Sequence, residues 1–118
     1  MPTPRSASFT VTATFTVDEH TDEHLRNEQA IRDEARQLFK DGVVAYDKKR
    51  YVAALAAFER AYELKPHPIV LLNLAQSELM AGRLDDACFH FKIWKEGAVD
   101  PSASVAKQVA QGIKAACH

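Results

Sequence analysis

An internal repeat of 33 residues is the feature of this sequence that most limits how the chain can fold. When the sequence is shifted against itself by that distance, the matched pairs are Leu38 and Leu71, Ala54 and Ala87, and Phe58 and Phe91. Segments with the apolar spacing of a helix coincide in the two copies. A unit of this length buries its apolar face by stacking on its neighbour. The repeat therefore predicts an all-α array of helical hairpins.

Apolar spacing and helix-end residues predict five helices. They cover about residues 22–46, 51–64, 69–81, 84–96 and 101–117. Thr21 suits the first N-cap, and Asp100 with Pro101 suits the start of the last helix. Gly82 and Gly97 follow the third and fourth helices, and Gly82 is expected to adopt the left-handed conformation.

The first 20 residues differ from the rest and are predicted to be an extension of a helical domain that covers residues 21–118. Residues 1–8 contain two prolines and small polar residues, which predict a flexible tail. Residues 9–17 alternate apolar residues with threonine, a pattern typical of a strand. The apolar members of this assembly strand are Phe9, Val11, Ala13, Phe15 and Val17.

A strand without a neighbour leaves its backbone N–H and C=O groups unpaired, so it tends to pair with the edge of another strand or sheet. It is therefore expected to pair with a second copy, to add to a sheet of another protein, or to lie in the chain's own groove. The alternative is that it is disordered in isolation, since single strands are marginally stable in water. Two hairpins and a cap are also fewer than the roughly three repeats that usually bury a continuous core. Both observations favour a homo-oligomer or a hetero-complex.

The repeat resembles the tetratricopeptide repeat family. The residues that carry the resemblance in the first copy are Gly42, Tyr51, Ala54, Phe58, Ala61 and Pro66. The second copy has Trp94 where the family prefers a small residue and lacks the closing proline. The resemblance implies repeats at about residues 35–67 and 68–100, followed by a capping helix against which Trp94 packs.

In this family the first helix of each hairpin lines a concave groove that binds a protein segment. The resemblance places nine residues in that groove: Phe39, Val43, Tyr46, Asp47, Ile69, Leu72, Asn73, Gln76 and Leu79. Members that hold a C-terminal carboxylate use Lys and Asn on the first hairpin, where this chain has Phe39 and Val43. The implied ligand is therefore an apolar segment. The alternative is that the N-terminal segment or a second copy covers these side chains.

Charge, apolar run length and cysteine content limit the other functional classes to which the protein could belong. Lys+Arg 15 against Asp+Glu 16 creates no field that would attract nucleic acid or anionic lipid. The apolar runs are too short for membrane insertion. Cys88 and Cys117 stand in no metal-binding spacing, which predicts neither a disulfide framework nor a structural metal. Cys88 is expected to be a small core residue, and the cytoplasm is the expected location.

Candidate chemical groups are sparse. His20 and His24 lie four residues apart, as in a two-histidine metal site, but a charged helix start explains the same residues. His90 stands two residues from Cys88, and side chains at that spacing point in different directions on a helix. The sequence contains no nucleophile elbow and no phosphate-binding glycine loop. We therefore expect no enzyme activity, no cofactor and no metal.

The sequence thus favours an adaptor or scaffold that binds another protein within an assembly. The alternatives are a structural homo-oligomer joined through residues 9–17 and a small repeat-type cargo chaperone.

Overall fold

The computed structural model describes the backbone of residues 6–118 and the side chains of residues 23–118. Within these residues the chain forms five helices and no strand, which confirms the predicted all-α class. The helices are α1 Ser6–Asp47, α2 Tyr51–Leu64, α3 Pro68–Met80, α4 Leu84–Gly97 and α5 Ala103–Ala116. In this part of the chain, no helix combines the length and the apolar character needed to cross a bilayer.

The chain divides into two compact units, Met1–Arg32 and Asp33–His118. In the described part of the first unit, His24 Nε2 lies 2.8 Å from Glu28 Oε1, and both side chains are exposed. The bounds of α1 enclose residues 9–17, for which the sequence predicts a strand. Because residues 1–22 lie outside the described side chains, that strand and the tail before it stay predictions.

Two apolar clusters form the core of the second unit. The first cluster contains Ala54, Leu55, Phe58 and Leu74, with Phe39, Val43, Ala45, Tyr46 and Ala81 packed against it. The second cluster contains Ala75, Ala87, Phe91, Val109 and Ala116, with Leu72, Leu79, Cys88, Trp94, Val105 and Ile113 packed against it. The first cluster joins α1, α2 and α3, and the second joins α3, α4 and α5. Since α3 contributes to both, it connects the two hairpins.

The turns that close the two hairpins share one hydrogen-bond pattern. After α1, the backbone N–H of Arg50 donates to the carbonyl of Ala45 at 2.9 Å. After α3, the N–H of Arg83 donates to the carbonyl of Glu78 at 2.8 Å. These residues correspond under the 33-residue shift, so the repeat in the sequence is also a repeat in backbone geometry.

The same turns place corresponding residues in the left-handed conformation. Gly82 has a φ of 84° and Lys49 a φ of 62°. The prediction for Gly82 is confirmed. Lys49 adopts the conformation although its Cβ makes the conformation unfavourable, because the hydrogen-bonded turn requires it.

The start of α5 differs from the prediction. Ser102 is the N-cap, and its side-chain oxygen accepts a hydrogen bond from the N–H of Val105 at 3.2 Å. Asp100 has a φ of 47° and lies in the turn before the helix. An N-cap residue requires extended dihedral angles, which Ser102 has with a φ of −63° and a ψ of 152°. The prediction that Asp100 caps α5 is therefore wrong.

Cys88 on α4 and Cys117 at the end of α5 form a disulfide. The prediction that these cysteines form no disulfide is wrong, although Cys88 also packs against the second cluster as a core residue would. The two residues are 29 positions apart and meet only because α5 folds back onto α4. The bond links the C-terminal end of α5 covalently to the second hairpin.

Candidate functional site

The α1 residues of the predicted groove lie at the edge of the core. Phe39, Val43 and Tyr46 are half-buried and pack against the first cluster. The ring centroid of Phe39 lies 5.5 Å from that of Phe58, and the ring of Tyr46 lies 5.2 Å from that of Tyr51. One side of each α1 side chain therefore stabilises the hairpin, and the remainder is open.

The apolar α3 residues of the predicted groove have a comparable position. Leu72 and Leu79 are half-buried and pack against the second cluster, which contains Val109 and Ala116 of α5. Under the 33-residue shift, Leu72 corresponds to Phe39 and Leu79 to Tyr46. The apolar part of the predicted groove is thus repeated on the two first helices, and its second half packs against a cluster that includes residues of α5.

The polar members of the predicted groove differ in their hydrogen bonding and in their exposure to solvent. Asn73 donates a hydrogen bond through Nδ2 to the carbonyl of Ile69 at 2.8 Å, so its amide is bound to its own helix. Gln76 is half-buried, whereas Asp47 is exposed. Ile69 is 55% exposed, which is high for a side chain of its size. It is the most accessible apolar member of the set.

A hydrogen-bonded pair of a buried acid, Glu78, and a half-buried histidine, His90, links α3 to α4. Glu78 is 3% exposed, and its Oε1 lies 2.7 Å from Nδ1 of His90. Burial raises the pKa of the Glu78 carboxyl above its ordinary value, and the hydrogen bond from His90 opposes that rise. Asp86 raises this pKa further, while Arg83 lowers it. The carboxyl group is therefore held in place by His90.

Sequence reasoning missed this pair. Glu78 corresponds to Ala45 in the first copy, so a charged residue at a position that is small in the other copy was the available signal. His90 was considered beside Cys88, and the structure separates the two. His90 bonds to Glu78, and Cys88 bonds to Cys117.

A pocket of about 470 Å³ opens at one end of the second unit, between the end of α2, the start of α3 and the end of α4. Its volume lies in the usual range for ligand pockets. Its lining is mostly apolar and includes Tyr62, Pro68, Trp94 and Val99. Trp94 stands where the first copy has the small residue Ala61, and sequence reasoning did not predict a pocket there. Trp94 also packs against the second cluster, which includes Val109 and Ala116 of α5.

Among residues 23–118, no three His, Cys, Asp or Glu side chains lie close enough together to hold a metal ion. His20 lies outside the described residues, and His24 contacts Glu28. Comparison of the chain with protein-family models, with curated proteins and with solved structures gives no match.

Proposed function

We propose that this chain is a tetratricopeptide-like hairpin array that binds an apolar segment of another protein, as an adaptor or scaffold within an assembly. One observation carries the proposal. Phe39 and Tyr46 on α1 and their counterparts Leu72 and Leu79 on α3 are all half-buried, so each leaves apolar surface accessible.

Repeated apolar positions suit a peptide ligand. A segment that crosses α1 and α3 meets the same chemistry twice, at positions related by the 33-residue repeat. Side chains that pack against the core on one side are held in one rotamer, so binding costs little further conformational entropy. Such a surface fits an apolar helix or an extended strand of a partner.

The polar groups argue against a carboxylate as the anchoring group of the ligand. Asn73 is engaged with the carbonyl of Ile69, and Asp47 adds a negative charge. A negative group on the ligand would therefore meet an Asn73 amide that already donates one of its two hydrogens to Ile69, and would be repelled by Asp47. The disulfide between Cys88 and Cys117 removes the basis for expecting the cytoplasm, because that expectation treated both cysteines as unpaired.

The test uses a peptide selected on the oxidised protein from a random display library. Binding of the labelled peptide is measured by fluorescence anisotropy. Ile69→Glu places a charge at the most accessible apolar position of the groove and is expected to weaken binding by about tenfold or more, which is about 1.4 kcal/mol. Because Ile69 is 55% exposed, the substitution is compatible with folding.

Two variants serve as controls. Val52→Glu changes a side chain that is 68% exposed on α2, outside the groove, and is expected to leave the dissociation constant within about twofold. Val99→Glu changes a side chain that is 86% exposed and lines the apolar pocket. Equal binding by the Ile69 and Val52 variants would refute the groove. Loss of binding in the Val99 variant alone would move the peptide site to the pocket.

A further inference from the structure

One apolar stripe of α5 covers the second hairpin. Val105, Val109, Ile113 and Ala116 follow one another at helical spacing, and all four belong to the second cluster or pack against it. Gly112 lies within this stripe. A Cβ added at Gly112 would stand 2.5 Å from Cζ of Phe91, so the helix sits directly on the ring.

Both ends of α5 are fixed, and the C-terminal end is fixed by a bond that can be broken. Ser102 caps the first turn, and the Cys88–Cys117 disulfide follows the last. Both cysteines are half-buried and not fully enclosed by the core. Reduction requires that a thiol reach one of the two sulfur atoms. A helix of 14 residues is marginally stable by itself in water, so its order depends on contact with the second cluster.

We infer that the Cys88–Cys117 disulfide is a redox lock on α5, and that reduction frees this helix and uncovers the apolar side of α3 at Leu72 and Leu79. The reductant is a dithiol. Its thiolate attacks one sulfur of the protein disulfide to form a mixed disulfide, and its second thiol then displaces the protein sulfur. The dithiol leaves as its own disulfide, and the two electrons and two protons that it loses convert Cys88 and Cys117 to thiols.

The consequence for partner binding rests on the proposed function, because Leu72 and Leu79 form the second half of the groove. In the oxidised chain, Leu72 and Leu79 pack against the second cluster, which includes residues of α5. The α1 half of the groove, Phe39, Val43 and Tyr46, packs against the first cluster, which includes none. In the reduced chain the groove would extend along α3. The lock would thus set how long a segment the protein can bind.

The size of the effect follows from the length of the closed loop. Cys88 and Cys117 are 29 positions apart, and closing a loop of this length removes much of the entropy of the open state. Breaking the bond is therefore expected to raise the population in which α5 is detached by on the order of 100-fold.

The test is amide hydrogen exchange on the full chain, measured by mass spectrometry with and without the dithiol dithiothreitol. Intact mass first establishes that the two samples differ by two hydrogens. On reduction, peptides from α5 are expected to exchange on the order of 100-fold faster, while peptides from α2 change by less than about threefold. The apolar dye anilinonaphthalene sulfonate is expected to fluoresce more strongly with the reduced chain, because it reports newly exposed apolar surface.

The double variant Cys88→Ala, Cys117→Ala is the matched control, and it should exchange like the reduced chain whether or not reductant is present. If this variant does not fold, the comparison of oxidised and reduced chains decides the question alone. Unchanged exchange in α5, unchanged dye fluorescence, or equal acceleration in α2 and α5 would each overturn the lock. The peptide experiment with Ile69→Glu uses oxidised protein only. The two experiments are therefore independent, and either the groove or the redox lock can be refuted without the other.

Discussion

Phe58 lies against Gly42 where α1 crosses α2, so closely that a Cβ at residue 42 would stand 2.6 Å from Cε1 of the ring. Phe91 has the same relationship to Gly112 of α5. Both rings are fully buried, so neither has free space to move into. The packing of α1 on α2 and the packing of α5 on α4 therefore each depend on one phenylalanine and on one position without a side chain.

Gly42→Ala and Gly112→Ala are each expected to lower the free energy of unfolding by about 1–3 kcal/mol, because the added methyl group overlaps a ring that cannot shift. The intrinsic helix preference of alanine, about 1 kcal/mol, works in the opposite direction and is outweighed. Urea denaturation followed by circular dichroism measures the change. Gly97→Ala is the control, since its Cβ meets no atom within 4 Å. Equal stability of the Gly42 and Gly97 variants would contradict the close contact.

Phe58→Ala is expected to cost about 3–5 kcal/mol, because it removes a fully buried ring and leaves a cavity. Phe89 on α4 provides the comparison, since this side chain is 60% exposed. Phe89→Ala should change the free energy of unfolding by no more than about 0.5 kcal/mol. The same denaturation experiment tests both, and similar losses in the two variants would show that Phe58 is not a core residue.

The two turns predict opposite effects of glycine. Lys49→Gly should stabilise the protein by about 0.5–1 kcal/mol, because it relieves a left-handed lysine at some cost in backbone entropy. Gly82→Lys should destabilise it by about 1 kcal/mol or more, although no atom lies near the position of the added Cβ. Thermal and urea denaturation measure both variants. A loss of stability in Lys49→Gly would argue that the turns are not equivalent.

Glu78 predicts a dependence of stability on pH. Its folded pKa is raised by burial, so the folded state binds a proton more tightly than the unfolded chain does. This contribution is fully present below the ordinary pKa of a glutamate, about 4.3, and is lost as the pH rises through the higher folded pKa. Glu78→Gln removes the titration. The stability of this variant relative to the wild type should therefore increase as the pH rises from about 4.

Urea denaturation at several pH values, in one buffer system of constant ionic strength, measures the Glu78 effect. Glu59→Gln is a suitable control because Glu59 is an exposed acid on α2. If the free energies of unfolding of both glutamine variants change with pH in parallel with that of the wild type, the carboxyl of Glu78 has the same pKa in the folded and the unfolded state.

Local signals predicted much of the second unit. Apolar spacing located α2 to α5 to within a few residues, because each helix buries one side against a neighbour. Gly82 marked its turn, because few other residues adopt a positive φ without strain. The positive φ of Lys49 was not predicted, because lysine carries no local signal for it and only its correspondence with Gly82 points to it. The N-cap of α5 was misassigned because Asp100 and Ser102 are both good capping residues, and backbone dihedral angles decide between them.

Contacts between distant residues were not predictable in the same way. Cys88 and Cys117 carry no local pattern, and their pairing depends on how α5 packs on α4. The bond between Glu78 and His90 likewise joins two helices, although the replacement of Ala45 by Glu78 between the copies was visible. The apolar residues of the groove were placed on the right helices. The fraction of each of these side chains that is buried in the core could be determined only from the structure.

The disulfide also sets the mechanical behaviour of the molecule. When the oxidised chain is pulled from its two ends, the residues between Cys88 and Cys117 form a closed ring that carries no tension after the helices unravel. With 29 positions in the ring, the extended chain is shorter by roughly 100 Å than its reduced form. A single molecule held in an optical trap would therefore report its own oxidation state as a length.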